Sequence, residues 1–322
     1  MKKINWGVLG TADIAYTQTI PGMRLAENCE LYAVAGRSLE KAQKFQRDFG
    51  FEKAYEGYEK LLEDPEVEAV YIPLPNSLHA EWSIRALKAG KHVLCEKPLA
   101  PTEAETVRMF EAAKENHVFL MEAFAYLHNP VIDALKAELD SGVIGEIRYM
   151  DSAFIAGRRP DTDIRLRRET YGGALYDLGC YPVSMILWMI SGEPAQVKAA
   201  ARFSERGVDL ETSAIMIYDS GITAGADCGM IPQIGRLDRF NVMGTEGEIH
   251  SPFWFNQPGE ISYTVIRKGK TETKTVFAKN NYQLEVEQLG KCIRGLETPR
   301  VTEEFSVRCA RTLDRILEEI GY

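Results

Sequence analysis

Apolar positions in the first 122 residues come as short continuous runs separated by amphipathic stretches. The runs at 4–9, 30–35, 68–73, 91–95 and 118–122 are rich in Val, Ile and Leu and do not alternate with polar residues. Strands buried on both faces of a parallel sheet read this way. Between them, 77–88 and 102–115 carry a helical spacing of apolar residues. Strand and helix alternating at this pitch predict an α/β, doubly wound parallel sheet.

After Pro130 the rhythm changes. A helix over 131–141 precedes a strand, an irregular basic segment and a helix over 174–190. From 196 to 276 come several β-rich runs, divided by turn signals such as Asp219-Ser220-Gly221 and Lys268-Gly269-Lys270. Helical patterns over 282–294 and 302–320 close the chain. The expected division is therefore a dinucleotide-binding domain, 1–122, and an α+β domain, 123–322, with a large open, mostly antiparallel sheet.

Acidic side chains outnumber basic ones, 47 to 38, for a formal charge of −9. Such a surface repels nucleic acid and anionic membranes. The basic cluster of Arg165, Arg167 and Arg168 near Arg158 and Arg159 is short and broken by acidic residues. No apolar run is long enough for a bilayer, and the N-terminus reads as a first strand, not a signal peptide. The six cysteines show no CxxC pair, which fits reduced thiols in a cytoplasmic protein. The histidines lack metal-ligand spacing, so no metal is expected.

Four motifs carry chemistry. "GVLGTADIA" (7–15) closes the first strand with Gly10-x-Ala12-x-x-Ala15, a degenerate dinucleotide fingerprint. Its small residues let a pyrophosphate approach Gly10, Thr11, Ala12, Asp13 and Ile14 at a helix start. Arg37 and Ser38 follow Gly36 at the second strand's tip, where an NAD site would place a carboxylate. A guanidinium and a hydroxyl suit a 2′-phosphate instead, so NADP(H) is expected over NAD(H). Ser38 is equally suited to cap the following helix.

"YIPLPNSLHAEW" (71–82) ends a strand, with Asn76 or Ser77 available as a helix cap. Leu74, Pro75, Asn76 and His79 then face the carboxyl edge of the sheet, where cofactors bind. "CEKPLA" (95–100) sets Glu96 and Lys97 on the same edge. In "YGGALYDLGCYPVSM" (171–185), Asp177 and Tyr181 are spaced i, i+4, with Pro182 announcing a late start or a kink. Each segment alone also suits an ordinary turn or packed helix.

Together, in this order and spacing, they resemble the Gfo/Idh/MocA oxidoreductases along the whole chain. The resemblance implies a Rossmann domain, an open-sheet α/β domain, bound NAD(P), a catalytic Lys97 and a cis peptide before Pro98. The myo-inositol dehydrogenase branch has a histidine where this chain has Tyr181. The tyrosine, with "LMEAFAYLHNP", "SGVIGEIR" and "GGALYDLGCYP", looks more like the branch of dihydrodiol dehydrogenases, glucose–fructose oxidoreductase, xylose dehydrogenases and sugar 3-ketoreductases.

Carbonyl reduction requires a hydride donor and an acid for the new alkoxide. A tyrosine exchanges protons poorly at neutral pH unless a cation lowers its pKa. Lys97 supplies that cation if the domains close over the substrate, leaving Tyr181 or Lys97 itself as the acid. Asp177 would orient Lys97 or bind a hydroxyl; Tyr126, His128 and Arg165 are further substrate candidates. The expected substrate is a sugar, ketosugar or cyclic polyol, and the expected assembly a homo-oligomer, dimer or tetramer, paired through the open sheet. The same fold hosts NAD-dependent glycoside hydrolases and non-catalytic dinucleotide-binding regulators. Glycoside cleavage without net cofactor turnover identifies the former; Lys97 with the Asp177/Tyr181 pair argues against the latter.

Overall fold

The computed structural model describes residues 2–157, 160–231, 235–252 and 254–322, so Arg158 and Arg159 lie outside the described residues. Contacts group Met1–Ala100, Ala104–His128 and Lys279–Ser306 into one compact unit, and Pro101–Glu103, Asn129–Ala278 and Val307–Tyr322 into another. A single cut at residue 122 misses the return of 279–306 to the first unit. That return is fixed by packing: a Cβ on Gly22 would lie 2.6 Å from Tyr282 Cβ, so helix Asn281–Ile293 sits directly on helix Ile20–Leu25.

The first unit holds β1 (Ile4–Leu9), β2 (Cys29–Gly36), β3 (Lys53–Glu56), β4 (Ala69–Ile72), β5 (His92–Cys95) and β6 (Leu120–Glu122). They form a sheet in the order β3-β2-β1-β4-β5-β6, with every pair parallel. This is a Rossmann sheet. Its core side chains, Trp6, Val8, Val34, Ile72 and Leu94, are fully buried. The strand order reverses between β1 and β4, which opens a crevice at their carboxyl ends. Only β3 escaped the sequence pattern. Its residues, KAYE, are half-exposed, with Glu56 exposed, and form no apolar run.

The second unit holds β7 (Ile147–Gly157), β8 (Gln196–Phe203), β9 (Asp209–Ile217), β10 (Thr223–Ile231), β11 (Leu237–Gly244), β12 (Gly247–Ser251), β13 (Gly259–Arg267) and β14 (Lys270–Ala278). The sheet runs β14-β13-β12-β11-β7-β10-β9-β8 and is antiparallel apart from the β7–β10 pair. Met150, Val242 and Ile249 align in register across β7, β11 and β12, and all are fully buried. Helix Cys180–Met189 packs on β7 and β10. The other face carries Tyr149, Ile215, Met243 and Phe277, 38–69% exposed.

A π turn, Leu175–Gly179, precedes helix Cys180–Met189. Asp177 and Tyr181 are thus not a plain α-helical i, i+4 pair, because wide i→i+5 bonding changes the angle between them. Pro182 is the third residue of that α-helix, directly after the π turn, and is buried. All six cysteines are buried and none forms a disulfide. No helix among the described residues is long and apolar enough to cross a membrane, and no cluster of His, Cys, Asp and Glu there could hold a metal.

Candidate active site

In the first unit, β1 runs into Gly10, whose amide donates to Ala35 O at 2.9 Å and prolongs the ladder with β2. Its φ of 133° belongs to glycine, and a Cβ there would press Leu74 Cδ2 at 3.0 Å. A Cβ on Gly36 would likewise lie 3.2 Å from Thr11 Cγ2. These bare backbones form a cradle of the kind a dinucleotide occupies, and helical structure begins at Asp13, before the π turn Ala15–Thr19. The cradle fits the expected cofactor. Arg37 is exposed at the tip of β2. Ser38 caps helix Leu39–Phe49, its Oγ accepting from Lys41 N at a long 3.5 Å.

Helix Asn76–Lys88 begins directly after Pro75, which occupies the cap position without a side-chain bond. The expected cap by Asn76 or Ser77 is therefore not made, because both already lie inside the helix. His79 is 1% exposed, with Nδ1 2.9 Å from Pro98 O and Nε2 2.7 Å from Leu74 O. It is a strut between two strand tips. Burial lowers its pKa, the two carbonyl contacts oppose that shift, and the Lys97 cation reinforces it.

The Lys97–Pro98 peptide is cis, as the resemblance implied. Glu96 is buried and accepts from the Tyr71 hydroxyl at 2.6 Å, while Tyr71 OH lies 2.8 Å from Thr19 Oγ1. Lys97 is half-buried. Tyr126 and His128 also belong to this unit and are buried. Tyr126, with no exposed surface, offers none to a substrate; its ring stands edge-on to Phe124. Burial, and then the Arg300 charge, lower the pKa of His128 to about 3.

In the second unit, Gly172 and Gly173 bring the chain against Arg165, whose carbonyl accepts from Gly173 N at 2.8 Å. Any Cβ on Gly172 would meet that carbonyl at 2.4 Å, so the close approach demands glycine. Arg165 Nε then pairs with Asp177 Oδ1 at 2.8 Å, and its Nη1 with Asp163 Oδ1 at 3.3 Å. The Asp177 charge, foremost, raises the Arg165 pKa further. Sequence reasoning missed Asp209, a fully buried β9 carboxylate accepting from Leu175 N at 2.8 Å and Thr212 Oγ1 at 2.7 Å. It anchors the start of the turn that carries Asp177. No local pattern announces it, since Leu175 lies 34 residues away.

Tyr181 is 9% exposed, packed between Phe154 and Phe255 at centroid distances of 5.3 and 5.1 Å. Asn256 Nδ2 reaches its hydroxyl at 3.5 Å. This tyrosine has a fixed ring and a polar tip, as an acid–base group needs. Asn256, held at φ 65°, was also missed; its loop has no chemical signature.

Residues 4–124 match the family model described as "Oxidoreductase family, NAD-binding Rossmann fold", and 132–250 match the GFO/IDH/MocA C-terminal domain. The chain is 36% identical to D-xylose 1-dehydrogenase (NADP(+)) 2 of Haloferax volcanii, over 97% of this chain and 96% of that protein. It is 34% identical to dTDP-3,4-didehydro-2,6-dideoxy-alpha-D-glucose 3-reductase of Actinomadura kijaniata, over 97% and 94%. The crystal structure of KijD10, a 3-ketoreductase from Actinomadura kijaniata in complex with NADP and TDP-benzene, superposes with a TM-score of 0.94 at 33% identity, covering 99% of this chain and 98% of that one.

Proposed function

This chain belongs to the GFO/IDH/MocA oxidoreductase family, and we propose that it is an NADP(H)-dependent reductase or dehydrogenase acting on a carbonyl or secondary alcohol of a sugar, ketosugar or cyclic polyol. The observation that carries the reading is the strand-tip arrangement of the first unit. Gly10 leaves a bare cradle, Arg37 and Ser38 stand at the tip of β2 without a carboxylate, and Lys97 follows β5. Whole-length similarity to proteins named for NADP and for sugars supports it.

Residues 10–14 would hold the pyrophosphate, and Arg37 and Ser38 the 2′-phosphate by charge-assisted bonds. Leu74, Pro75 and Asn76 would line the nicotinamide side, with His79 bracing that tip from within. The bound cofactor supplies or takes the hydride. Tyr181 donates the proton to the nascent alkoxide, or accepts it in oxidation, and Lys97 orients the same oxygen and stabilises its negative charge. Asp177, fixed by Arg165, binds a substrate hydroxyl. A screen of aldoses, cyclic polyols, dihydrodiols and nucleotide-linked ketosugars with both cofactors tests the reading. Turnover of none, with nitrophenyl glycosides cleaved instead, would sink it.

We also infer a homo-oligomer, dimeric or tetrameric, in which a second copy covers the open face bearing Ile215, Met243 and Phe277. The six cysteines, buried and outside disulfides, fit a reducing cytoplasmic setting.

A further inference from the structure

Three glutamates lie inside the first unit behind the turn that carries Lys97. Glu96 follows β5, Glu122 ends β6 and Glu285 belongs to helix Asn281–Ile293; they are 8%, 3% and 0% exposed. Burying carboxyl groups together is costly, so each needs a partner, a proton or a function.

Their surroundings differ. Glu96 is held by the Tyr71–Thr19 hydroxyl chain. Neither oxygen of Glu285 meets a hydrogen-bond partner among the described residues. Burial, foremost, and then the Glu96 charge facing it push Glu285 well above the usual carboxyl range, which favours its neutral form. Glu122 Oε1 accepts from Leu99 N at 2.8 Å. Because Pro98 has no N–H, this is the first backbone donor after Lys97. The parallel register pairs Cys95 with Glu122, which sets the carboxyl beside the Lys97 turn.

We propose that Glu122 is a positioning residue for Lys97, a buried carboxylate that clamps the 97–99 turn through the Leu99 amide and keeps the Lys97 ammonium charged. The proposal rests on Lys97 being the acting cation of the reaction above. Lys97 is faced by Glu122 from β6 and by the His79 imidazole from helix Asn76–Lys88. Glu122 itself faces Lys97, Glu96 and the Ser306 hydroxyl. Glu96 is faced by Tyr71 from β4, Cys95 from β5, Glu122 from β6 and Glu285 from helix Asn281–Ile293. Burial pushes Glu122 up to about 7, so its charge, and its hold on Lys97, grow as pH rises through neutrality.

The test is the pH dependence of Lys97 acetylation by acetic anhydride, read by mass spectrometry in the wild type, E122Q and E285Q. The E122Q side chain keeps an oxygen for the Leu99 amide and removes the charge. The expected result is that Lys97 titrates about one pH unit lower in E122Q, at nearly unchanged Tm. E285Q should superimpose on the wild type. An unshifted Lys97 in E122Q, or a shift in E285Q alone, overturns the proposal. Should E122Q fail to fold, the wild-type curve decides. An inflection near pH 7 beneath the lysine's own titration supports the coupling, and a single-site curve overturns it. Labelling does not depend on turnover. A Lys97→Met enzyme that keeps its activity would therefore refute the catalytic reading while leaving the Glu122–Lys97 coupling to stand or fall by itself.

Discussion

Arg165 Nε stands 2.8 Å from Asp177 Oδ1, with the arginine side chain 36% exposed and the aspartate side chain 11%. The pair fixes a carboxylate at the mouth of the π turn. Being partly exposed, it contributes modestly to stability. The expected consequence of Arg165→Ala is a Tm lowered by a few degrees at most, with kcat/KM falling about tenfold or more as Asp177 loses its orientation. Steady-state kinetics beside a melting curve checks this. Loss of both in proportion would mean that the pair only holds the fold.

NADPH should bind more tightly than NADH by about one to two decades, because a charge-assisted contact to phosphate is worth roughly 1.5–3 kcal/mol. Arg37→Ala should abolish most of that preference while leaving NADH affinity alone. Fluorescence titration of both cofactors reads it, and an unchanged NADPH affinity in the variant counts against the 2′-phosphate assignment.

Lys97→Met should remove nearly all turnover while cofactor binding survives. Tyr181→Phe should cost about two to four decades, and the double variant no more than the worse single one, since groups serving one proton transfer act as a unit. Single-turnover hydride transfer distinguishes this from a tyrosine that merely packs between Phe154 and Phe255. In that case Tyr181→Phe keeps the rate.

His128 is buried, and Nε2 has no hydrogen-bond partner among the described residues. With its folded pKa lowered to about 3 from 6.5, the unfolded chain takes up the proton first as pH falls. The unfolded state then binds more protons than the native one, so this stability is present above pH 6.5 and lost progressively towards pH 3. His128→Asn should flatten the dependence by up to one proton, about 1.4 kcal/mol per pH unit, in that window. Urea unfolding at about pH 7 and about pH 4.5, compared between variant and wild type, measures it; identical slopes would remove His128 from the acid response.

Light scattering at micromolar concentration should give at least twice the mass of one chain. Charge placed at Ile215 and Phe277, on the open face of the second sheet, should shift the protein towards monomer. A monomeric wild type ends the assembly proposal.

The sequence by itself determined five of the six strands of the first sheet, because a parallel strand buried on both faces has to be an unbroken run of apolar residues. It also showed Gly10 at a strand end and the glycine pair before Asp177, and the family resemblance pointed to Lys97. Tertiary structure decided the rest. Strand β3 borrows its order from β2, so four residues, none of them buried, sufficed without any apolar run. The π turn, fixed by Asp209 from a distant strand, set the angle between Asp177 and Tyr181 where the letters showed only a spacing of four. His79 looked like a ligand group on the cofactor edge, yet two carbonyls from separate turns engage both its nitrogens. Glu122 and Glu285 carry no signal in the sequence; it is folding that removes the water from around them. A side chain's proton affinity depends on what surrounds it in space, and a linear pattern of residues does not carry that information.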